Sequence, residues 1–341
     1  MDEDLSDCGT DYNLDYELRM VTNMTTEIQT QLSLAADIEI TQALNNYLAG
    51  VFTDNAKDVD LGFYDVVRDP VVGDSLRLYQ QSHIMNANQS SYTLYIPIRQ
   101  YMHLAVANIV DNGLVSLEDG EWCHASRLAQ PDLDTIPPHR TGLFTARLEM
   151  DIKEVDEDQE FNVSLYMANC ASSLIIDTLG SGVRDFKVYA SGFATAFRIC
   201  DSTFVFRQSP GKDPVVVADE VELEEETGSV CFACINFPSR DPMREEPPED
   251  SKTIIETEDP FISERADEAI WTYTVYATLP DGSVTQSVLG VFKPLRAGQF
   301  KIIRARVQGG MGGVVPKDNT VGASIRTDWH PGMETEVPLG D

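Results

Sequence analysis

Residues 271–292 read Trp-Thr-Tyr-Thr-Val-Tyr-Ala-Thr-Leu-Pro-Asp-Gly-Ser-Val-Thr-Gln-Ser-Val-Leu-Gly-Val-Phe, and this stretch decides the fold class of the chain. Apolar or aromatic side chains alternate with polar ones on both sides of its centre, as in a half-buried strand. In the central Leu279–Ser283, proline fixes φ at the first corner of a turn and glycine follows aspartate. The stretch therefore predicts a β-hairpin with strands at 271–278 and 284–292.

Runs of the same type recur along the whole chain and are separated by turn residues. In the first half they are Tyr16–Thr22, Leu61–Tyr64, Asp74–Tyr79, Ser91–Ile96 and Met102–Ala107. In the second half they are Leu143–Asp151, Phe161–Met167, Ser173–Asp177, Asp185–Tyr189, Thr195–Cys200, Thr203–Arg207, Val230–Asn236, Phe300–Val307 and Val321–Thr327. A strand-rich chain without alternating helices predicts antiparallel β-sandwiches, an all-β class, and not a parallel α/β fold.

Two local signals add detail to this prediction. Near residues 37–53, Ile40, Leu44, Leu48, Val51 and Phe52 fall at helical spacing, which predicts one helix with its apolar stripe in the core. An Asn-Gly pair at 112–113, lying between two apolar runs, predicts a second tight hairpin.

The 341 residues suggest two domains, each large enough to bury its own core. Between Pro131 and Gly142 the composition becomes polar and proline-rich, which is typical of a linker or a long crossover. We therefore predict an N-terminal β-sandwich domain over residues 1–142, containing the helix, and a C-terminal β-sandwich domain over residues 143–341.

The charge of the chain excludes several functions. Lys and Arg number 25 and Asp and Glu number 56, so the formal net charge is −31. Nucleic acids and anionic bilayers both attract basic surfaces, so neither is expected as a partner. Self-repulsion that keeps the chain soluble is the simpler interpretation, and a Ca²⁺-loaded surface is the sharper one.

The start of the chain bears on its location. Met1-Asp-Glu-Asp4 has neither the basic start nor the apolar run of a signal peptide, and no run of 18 apolar residues occurs. The chain is therefore expected either to stay in the cytoplasm or to have lost an export signal.

The six cysteines allow 15 disulfide pairings, and the even count fits an oxidising compartment. Cys231 and Cys234 form a Cys-x-x-Cys pair, but they lie in an apolar run of strand type, where positions three apart face opposite ways. We therefore interpret them as packed or disulfide-bonded residues and not as a metal or redox site.

No chemistry-bearing motif emerges, so the sequence predicts no catalytic, cofactor-binding or metal-binding residues and no enzyme. The five histidines, His83, His103, His124, His139 and His330, lack metal-ligand spacing. No Gly-x-Ser-x-Gly elbow is present. The acidic clusters at Glu154–Glu160 and at Asp54, Asp58 and Asp60 are interpreted as solvated turns, with Ca²⁺ binding as the alternative. A hydrolase using a carboxylate pair is the least favoured reading.

Several segments together resemble the FimB/Mfa-type fimbrial subunits of Bacteroidia. Asp2–Cys8 resembles the start of those proteins just after their lipid-bearing cysteine, and Asp15–Ile28 resembles their first strand. Phe52–Asp65 is similar to their helix-to-strand passage and Tyr166–Gly180 to an early strand pair of their second domain. Thr327–Pro338 is similar to their C-terminal strand and tail. The matches span nearly the whole length, in order, and none carries chemistry.

The resemblance implies two tandem transthyretin-like (Ig-like Greek-key) β-sandwich domains and no cofactor. It further implies export as a lipoprotein with its signal peptide removed, tethering to the outer membrane, and a cell-surface role as anchor or accessory subunit of a fimbria, or pilus. Cys8 follows Ser6-Asp7 and not a lipobox, so the acylated cysteine would lie upstream. Other fimbrial subunits would be the partners, bound by strand addition through Val321–Pro338 and an edge strand. The alternative is a cell-adhesion or glycan-binding module of the same fold.

Overall fold

The computed structural model describes residues 10–18, 38–53, 56–69, 73–85, 91–112, 114, 123, 127–152, 160–207, 214–223, 228–241, 269–308, 312–317 and 321–326. Within these ranges the chain is all-β with one α-helix, α1 (Ile38–Val51), and a short 3₁₀ turn at Val110–Asn112. The predicted fold class is confirmed. No helix in this part of the chain combines the length and apolar composition needed to span a bilayer.

The strands are, in chain order, β1 (Thr10–Leu18), β2 (Asp58–Asp69), β3 (Gly73–Met85), β4 (Ser91–Ile96), β5 (Gln100–Ala107), β6 (Arg127–Ala129), β7 (Thr135–Ile136), β8 (Phe144–Asp151), β9 (Glu160–Met167), β10 (Cys170–Asp177), β11 (Asp185–Ser191), β12 (Ala196–Arg198), β13 (Thr203–Val205), β14 (Val215–Val217), β15 (Asp219–Glu220), β16 (Ser229–Asn236), β17 (Trp271–Thr278), β18 (Val284–Val291), β19 (Phe300–Gln308), β20 (Gly313–Pro316) and β21 (Val321–Arg326). Most agree with the predicted runs to within a few residues. Residues 19–22 of the first predicted run lie outside the described residues.

A seven-stranded sheet carries most of the N-terminal half, in the order β3-β2-β5-β8-β9-β1-β4. A new strand does begin at Phe144, as the change of composition near Gly142 suggested. However, that strand pairs antiparallel with β5, and β9 in turn pairs parallel with β1. The predicted boundary at residue 142 therefore does not coincide with a boundary between sheets.

Two strands that precede residue 142 also pair with strands of the C-terminal half. Strand β6 pairs with β12 in a three-stranded sheet, and β7 pairs with β14 at the end of a six-stranded sheet. Strands from the two halves of the sequence are thus interleaved in three of the four described sheets.

Two further sheets build the C-terminal half, a five-stranded one ordered β15-β16-β10-β19-β20 and a six-stranded one ordered β21-β18-β17-β11-β14-β7. The predicted hairpin is confirmed, with β17 and β18 paired from Trp271 opposite Val291 to Thr278 opposite Val284. Its turn is closed by the Leu279 amide, which donates to the Ser283 carbonyl over 2.8 Å. Gly282 takes a positive φ of 84°, which explains the glycine at this corner.

Three cores hold the layers together. The first core lies between helix α1, one face of the seven-stranded sheet and one face of the five-stranded sheet. The second core lies between the opposite face of the five-stranded sheet and the six-stranded sheet. The third core covers the other face of the seven-stranded sheet with residues of the three-stranded sheet. Along β16, Ala233 enters the first core and Phe232 the second, so the five-stranded sheet is buried on both sides.

The helix has the predicted core role. Ile40, Leu44, Leu48 and Val51 are all buried and face the first core, while Asn45 is exposed. Burial of one such leucine stabilises the fold by about 1.5–3 kcal/mol relative to an exposed position.

The predicted Asn-Gly hairpin is wrong, because Asn112 lies in the 3₁₀ turn and not in a hairpin turn. Residues 115–117, in the second strand of that predicted hairpin, lie outside the described residues. The side chain of Asn112 instead binds the linker-like segment. Its Oδ1 accepts the Arg140 amide over 2.6 Å and its Nδ2 donates to Thr141 Oγ1 over 2.8 Å. Asn169, fully buried, donates to the Thr141 carbonyl over 3.0 Å and accepts the Leu143 amide. These asparagines fix residues 140–143 against both halves of the chain.

Candidate functional site

The C-terminal strand β21 lies at the edge of the six-stranded sheet. It pairs antiparallel with β18, with Val321 opposite Val291 and Ala323 opposite Leu289. Among the described strands, none pairs with the other side of β21. The sequence placed a partner-binding segment at Val321–Pro338, and its first six residues occupy this edge; residues 327–338 lie outside the described part.

The neighbouring strand β18 shows what β21 covers. Its Leu289 and Val291 are fully buried and belong to the second core, together with Val321. On the same strand, the Ser287 hydroxyl accepts the Val314 amide over 2.8 Å, which joins β18 to β20, the edge strand of the five-stranded sheet. Strand β21 therefore closes the second core along one side.

An edge strand exposes a row of backbone amide and carbonyl groups that can pair with an incoming strand. In strand addition, the backbone hydrogen bonds supply affinity and side-chain pockets supply register. Among the described strands, β21 provides one such edge, and β3 and β4 are the edge strands of the seven-stranded sheet.

The second candidate site is a cleft of about 520 Å³ between helix α1 and the edge strand β15. We call it the acidic cleft, because three glutamates line it. Its lining residues are Glu39, Gln42, Ala43, Asn46, Tyr47, Glu220, Val221 and Glu222. Amide and carboxylate groups beside an aromatic ring give the cleft hydrogen-bonding capacity and one flat apolar surface.

Two hydrogen bonds to the Asp219 carboxylate hold one wall of the acidic cleft in place. The Tyr47 hydroxyl donates to Asp219 Oδ2 over 3.1 Å, and Arg140 Nη1 donates to the same oxygen over 2.6 Å. Burial, followed by the Asp219 carboxylate, raises the pKa of Tyr47 well above its ordinary value. The Tyr47 hydroxyl therefore stays protonated and neutral, and its ring is fixed between the helix and the sheet.

Of the predicted acidic clusters, Asp54 and residues 154–159 lie outside the described residues, whereas Asp58 and Asp60 do not form the solvated turn that the sequence suggested. Both carboxylates are almost completely buried at the start of β2. Asp58 Oδ1 accepts the Ile109 amide over 2.9 Å, and Asp60 Oδ1 is hydrogen-bonded to Nδ1 of His83, directly opposite on β3. Burial raises the pKa of Asp58, while hydrogen bonds from the Ile109 and Val110 amides oppose this. The sequence signal missed was the cross-strand partner, which lies 23 residues away.

Two of the described histidines are buried, His103 on β5, as expected, and His139 in the segment between β7 and β8. His124 and His330 lie outside the described residues. Cys231 faces the first core and Cys234 the second, which confirms that the Cys-x-x-Cys pair points to opposite faces of its strand. In the part of the chain that the structure describes, no three His, Cys, Asp or Glu side chains are grouped to hold a metal ion.

Comparison with solved structures places this architecture among known folds. A putative adhesin from Bacteroides ovatus superposes with a TM-score of 0.50 at 11% sequence identity, over 96% of this chain and 97% of that one. This chain shares that fold. At such low identity the likeness concerns the fold alone, and it confirms the resemblance drawn from the sequence at that level.

Two further structures align over nearly their whole length. Putative polysaccharide binding proteins from Bacteroides thetaiotaomicron give a TM-score of 0.47 at 10% identity, covering 96% of this chain and 99% of that chain. The tip fimbrial protein Mfa3 from Porphyromonas gingivalis gives 0.39 at 11% identity, covering 94% and 100%. No family model and no curated protein matches the sequence.

Proposed function

We propose that this chain is a non-enzymatic subunit of cell-surface fimbriae, an anchor or accessory component that binds other subunits by strand addition. The observation that carries the proposal is the position of β21, an edge strand that continues into the tail similar to that of FimB/Mfa-type subunits. Export as a lipoprotein and tethering to the outer membrane form part of the same proposal.

Two features support this function. The fold is shared with a putative Bacteroides adhesin. The net charge of −31 suits a protein that stays soluble through self-repulsion at an exposed location. Each feature fits a protein that acts through contacts between surfaces.

Deletion of the gene in its source bacterium tests the role directly. If the chain anchors fimbriae, electron microscopy should show longer fibres, and fractionation should show fibres shed into the medium. Fibres that stay normal and firmly attached would reject the anchor role and leave the accessory role to be tested by the truncation below.

Removing residues 328–341 should abolish binding of the purified chain to fibres taken from the deletion strain. Strand β21 ends at Arg326 and is retained, so the fold should survive while the adjoining tail is lost. Co-sedimentation with the fibres measures binding, and thermal unfolding measures folding. Leu133→Ser, an exposed residue outside every strand, serves as the control and should bind normally. Unchanged binding by the truncated chain would refute tail-mediated strand addition.

The acidic cleft favours one second candidate, a glycan-binding adhesin of the same fold. Sugar hydroxyls bind well to amide and carboxylate groups beside an aromatic ring, and the cleft offers all three through Gln42, Tyr47 and Glu222. A glycan array with and without a chelator tests it. The double variant Gln42→Ala, Asn46→Ala should lose at least about tenfold in affinity, or about 1.4 kcal/mol, for any sugar bound. Asn45→Ala, exposed on the same helix outside the cleft, should not.

A further inference from the structure

Two cysteine thiols meet in the third core, although they lie far apart in the sequence. Cys123 is 1% exposed and is one of the buried residues of this core. Cys200 lies two residues after the end of β12, is half-buried, and packs against the same core. Both are free thiols in the structure. The antiparallel register of β6 with β12, with Arg127 opposite Arg198, brings the two cysteine-bearing segments together. A side-chain hydrogen bond with Cys200 is also among the causes that raise the pKa of Cys123. Cysteines that are neighbours in one core are the ones that can meet the geometry of a disulfide.

The other described cysteines are held apart. Cys231 and Cys234 face opposite sides of β16. Cys170 and Cys234 share one face but are diagonal neighbours, since Cys170 pairs with Asn236 and Cys234 with Ser172. Diagonal positions in a sheet are about 7–8 Å apart, which exceeds the usual span of a disulfide. The Asn236 amide lies between them, 3.6 Å from Cys170 Sγ and 3.7 Å from Cys234 Sγ.

We propose that Cys123 and Cys200 form a disulfide bond in the native protein; its formation in the cell rests on the proposed export to an oxidising compartment. The oxidant is a protein or peptide disulfide. The Cys200 thiolate, the more exposed of the two, attacks one sulfur of that disulfide and releases its first thiol. The Cys123 sulfur then displaces the second thiol from the mixed disulfide. Two protons and two electrons leave the protein, and the oxidant becomes a dithiol.

The order of these steps follows from the surroundings of each thiol. Burial raises the pKa of Cys123, and the neighbouring Cys200 raises it further, so Cys123 is a poor first nucleophile. Cys200 lies within the turn Ile199–Ser202, next to Asp201, which is exposed and pairs with Arg198. An oxidant can therefore reach Cys200 first.

The cross-link would tie the segment around Cys123 to the rim of the three-stranded sheet. Strand β6 begins four residues after Cys123 and pairs with β12, which ends just before Cys200. A covalent bond here restrains the unfolded chain over a long loop, and longer loops lose more entropy on closure. The bond would stabilise the same contact that brings β6 across to the C-terminal half.

Oxidation of the purified full chain tests the pairing independently of its location in the cell. The chain is treated with oxidised glutathione, alkylated under denaturing conditions and mapped by mass spectrometry. We expect one linked peptide pair containing Cys123 and Cys200, with Cys170, Cys231 and Cys234 alkylated. The oxidised chain should melt about 5–10 °C above the reduced chain. Cys200→Ser should abolish this redox-dependent shift, and the control Cys231→Ala should keep it.

Two outcomes would overturn the proposal. Alkylation of both Cys123 and Cys200 after oxidation, or linkage of either to Cys8, would refute the pairing itself. Free Cys123 and Cys200 in protein isolated from the bacterial surface would refute the bond as a native feature, even if glutathione forms it in vitro. Neither result bears on the fibre phenotype of the gene deletion, which tests the proposed function separately.

Discussion

Gly192→Ala should lower the free energy of unfolding by about 3–5 kcal/mol, because the new methyl group meets backbone atoms that cannot move aside. Gly192 follows β11 and has a positive φ of 93°. A Cβ there would lie 2.7 Å from the Ile270 carbonyl oxygen and 2.8 Å from Trp271 Cα. Trp271 is almost fully buried in the second core and its ring packs 5.4 Å from that of Phe193. The clash would therefore push apart the start of the predicted hairpin and the strand beside it.

Gly282→Ala is the matched control. Gly282 also has a positive φ, 84°, but a Cβ at this position meets no atom within 4 Å. Only the conformational cost of a left-handed alanine remains, about 1–2 kcal/mol. Urea unfolding of both variants, followed by tryptophan fluorescence, separates the two terms. Equal losses of stability would contradict the clash and leave backbone conformation as the whole effect.

Acidification from pH 7.5 to 5.0 should lower the free energy of unfolding by about 2 kcal/mol for each of two buried histidines. Burial lowers the pKa of His139 to about 3 and that of His103 to about 4. Near pH 6.5 and below, the unfolded chain binds a proton on each imidazole and the folded chain does not. The unfolded state therefore binds more protons. The free energy of unfolding decreases as the pH is lowered, until the pH reaches the pKa values of the histidines in the folded state. At pH 5.0 the chain is still above its pI of about 4.3 and keeps its negative charge.

His139 offers the cleaner test of this pH dependence. Its Nε2 lies 2.9 Å from the Gln130 amide nitrogen, its Nδ1 is buried with no hydrogen-bond partner among the described residues, and its ring packs on Phe237 at 4.8 Å. In His139→Gln, urea unfolding at the two pH values should show about 2 kcal/mol less difference than in the parent chain. Phe237→Leu keeps the imidazole but reduces its burial, so its pH dependence should fall between those of His139→Gln and the parent chain. A His139→Gln profile identical to the parent profile would refute the assignment.

The elements that sequence alone predicted well are those whose cause is local. The hairpin at Trp271–Val291 follows from strand alternation and a Pro-Asp-Gly turn, all within 22 residues. Helix α1 follows from a stripe at helical spacing, and the burial of Leu44 and Leu48 matches it. In both cases propensity, pattern and turn chemistry agree, so tertiary contacts had nothing to override.

The failed hairpin prediction has its cause in long-range pairing. The Asn-Gly signal at 112 predicted a hairpin, but β5 already pairs with β2 on one side and β8 on the other, so no edge was free for a new partner. The domain boundary at residue 142, inferred from proline-rich composition, stays a prediction; β8, just after it, pairs with β5, just before it. The candidate site follows the same division. Strand β21 was predicted as a strand, whereas the acidic cleft and the Cys123–Cys200 contact depend on residues distant in sequence.

The five-stranded sheet, buried on both of its faces, has a mechanical consequence. A flexible joint between two domains needs a surface along which few contacts cross, and here apolar side chains cross on either side of one shared layer. The described parts of the two halves therefore have no hinge between them, and each half would expose a large apolar surface if the other were removed. If the chain serves as the proposed fimbrial subunit, bending of the fibre under flow would be taken up at the junctions between subunits, and each subunit would behave as a stiff segment of fixed length.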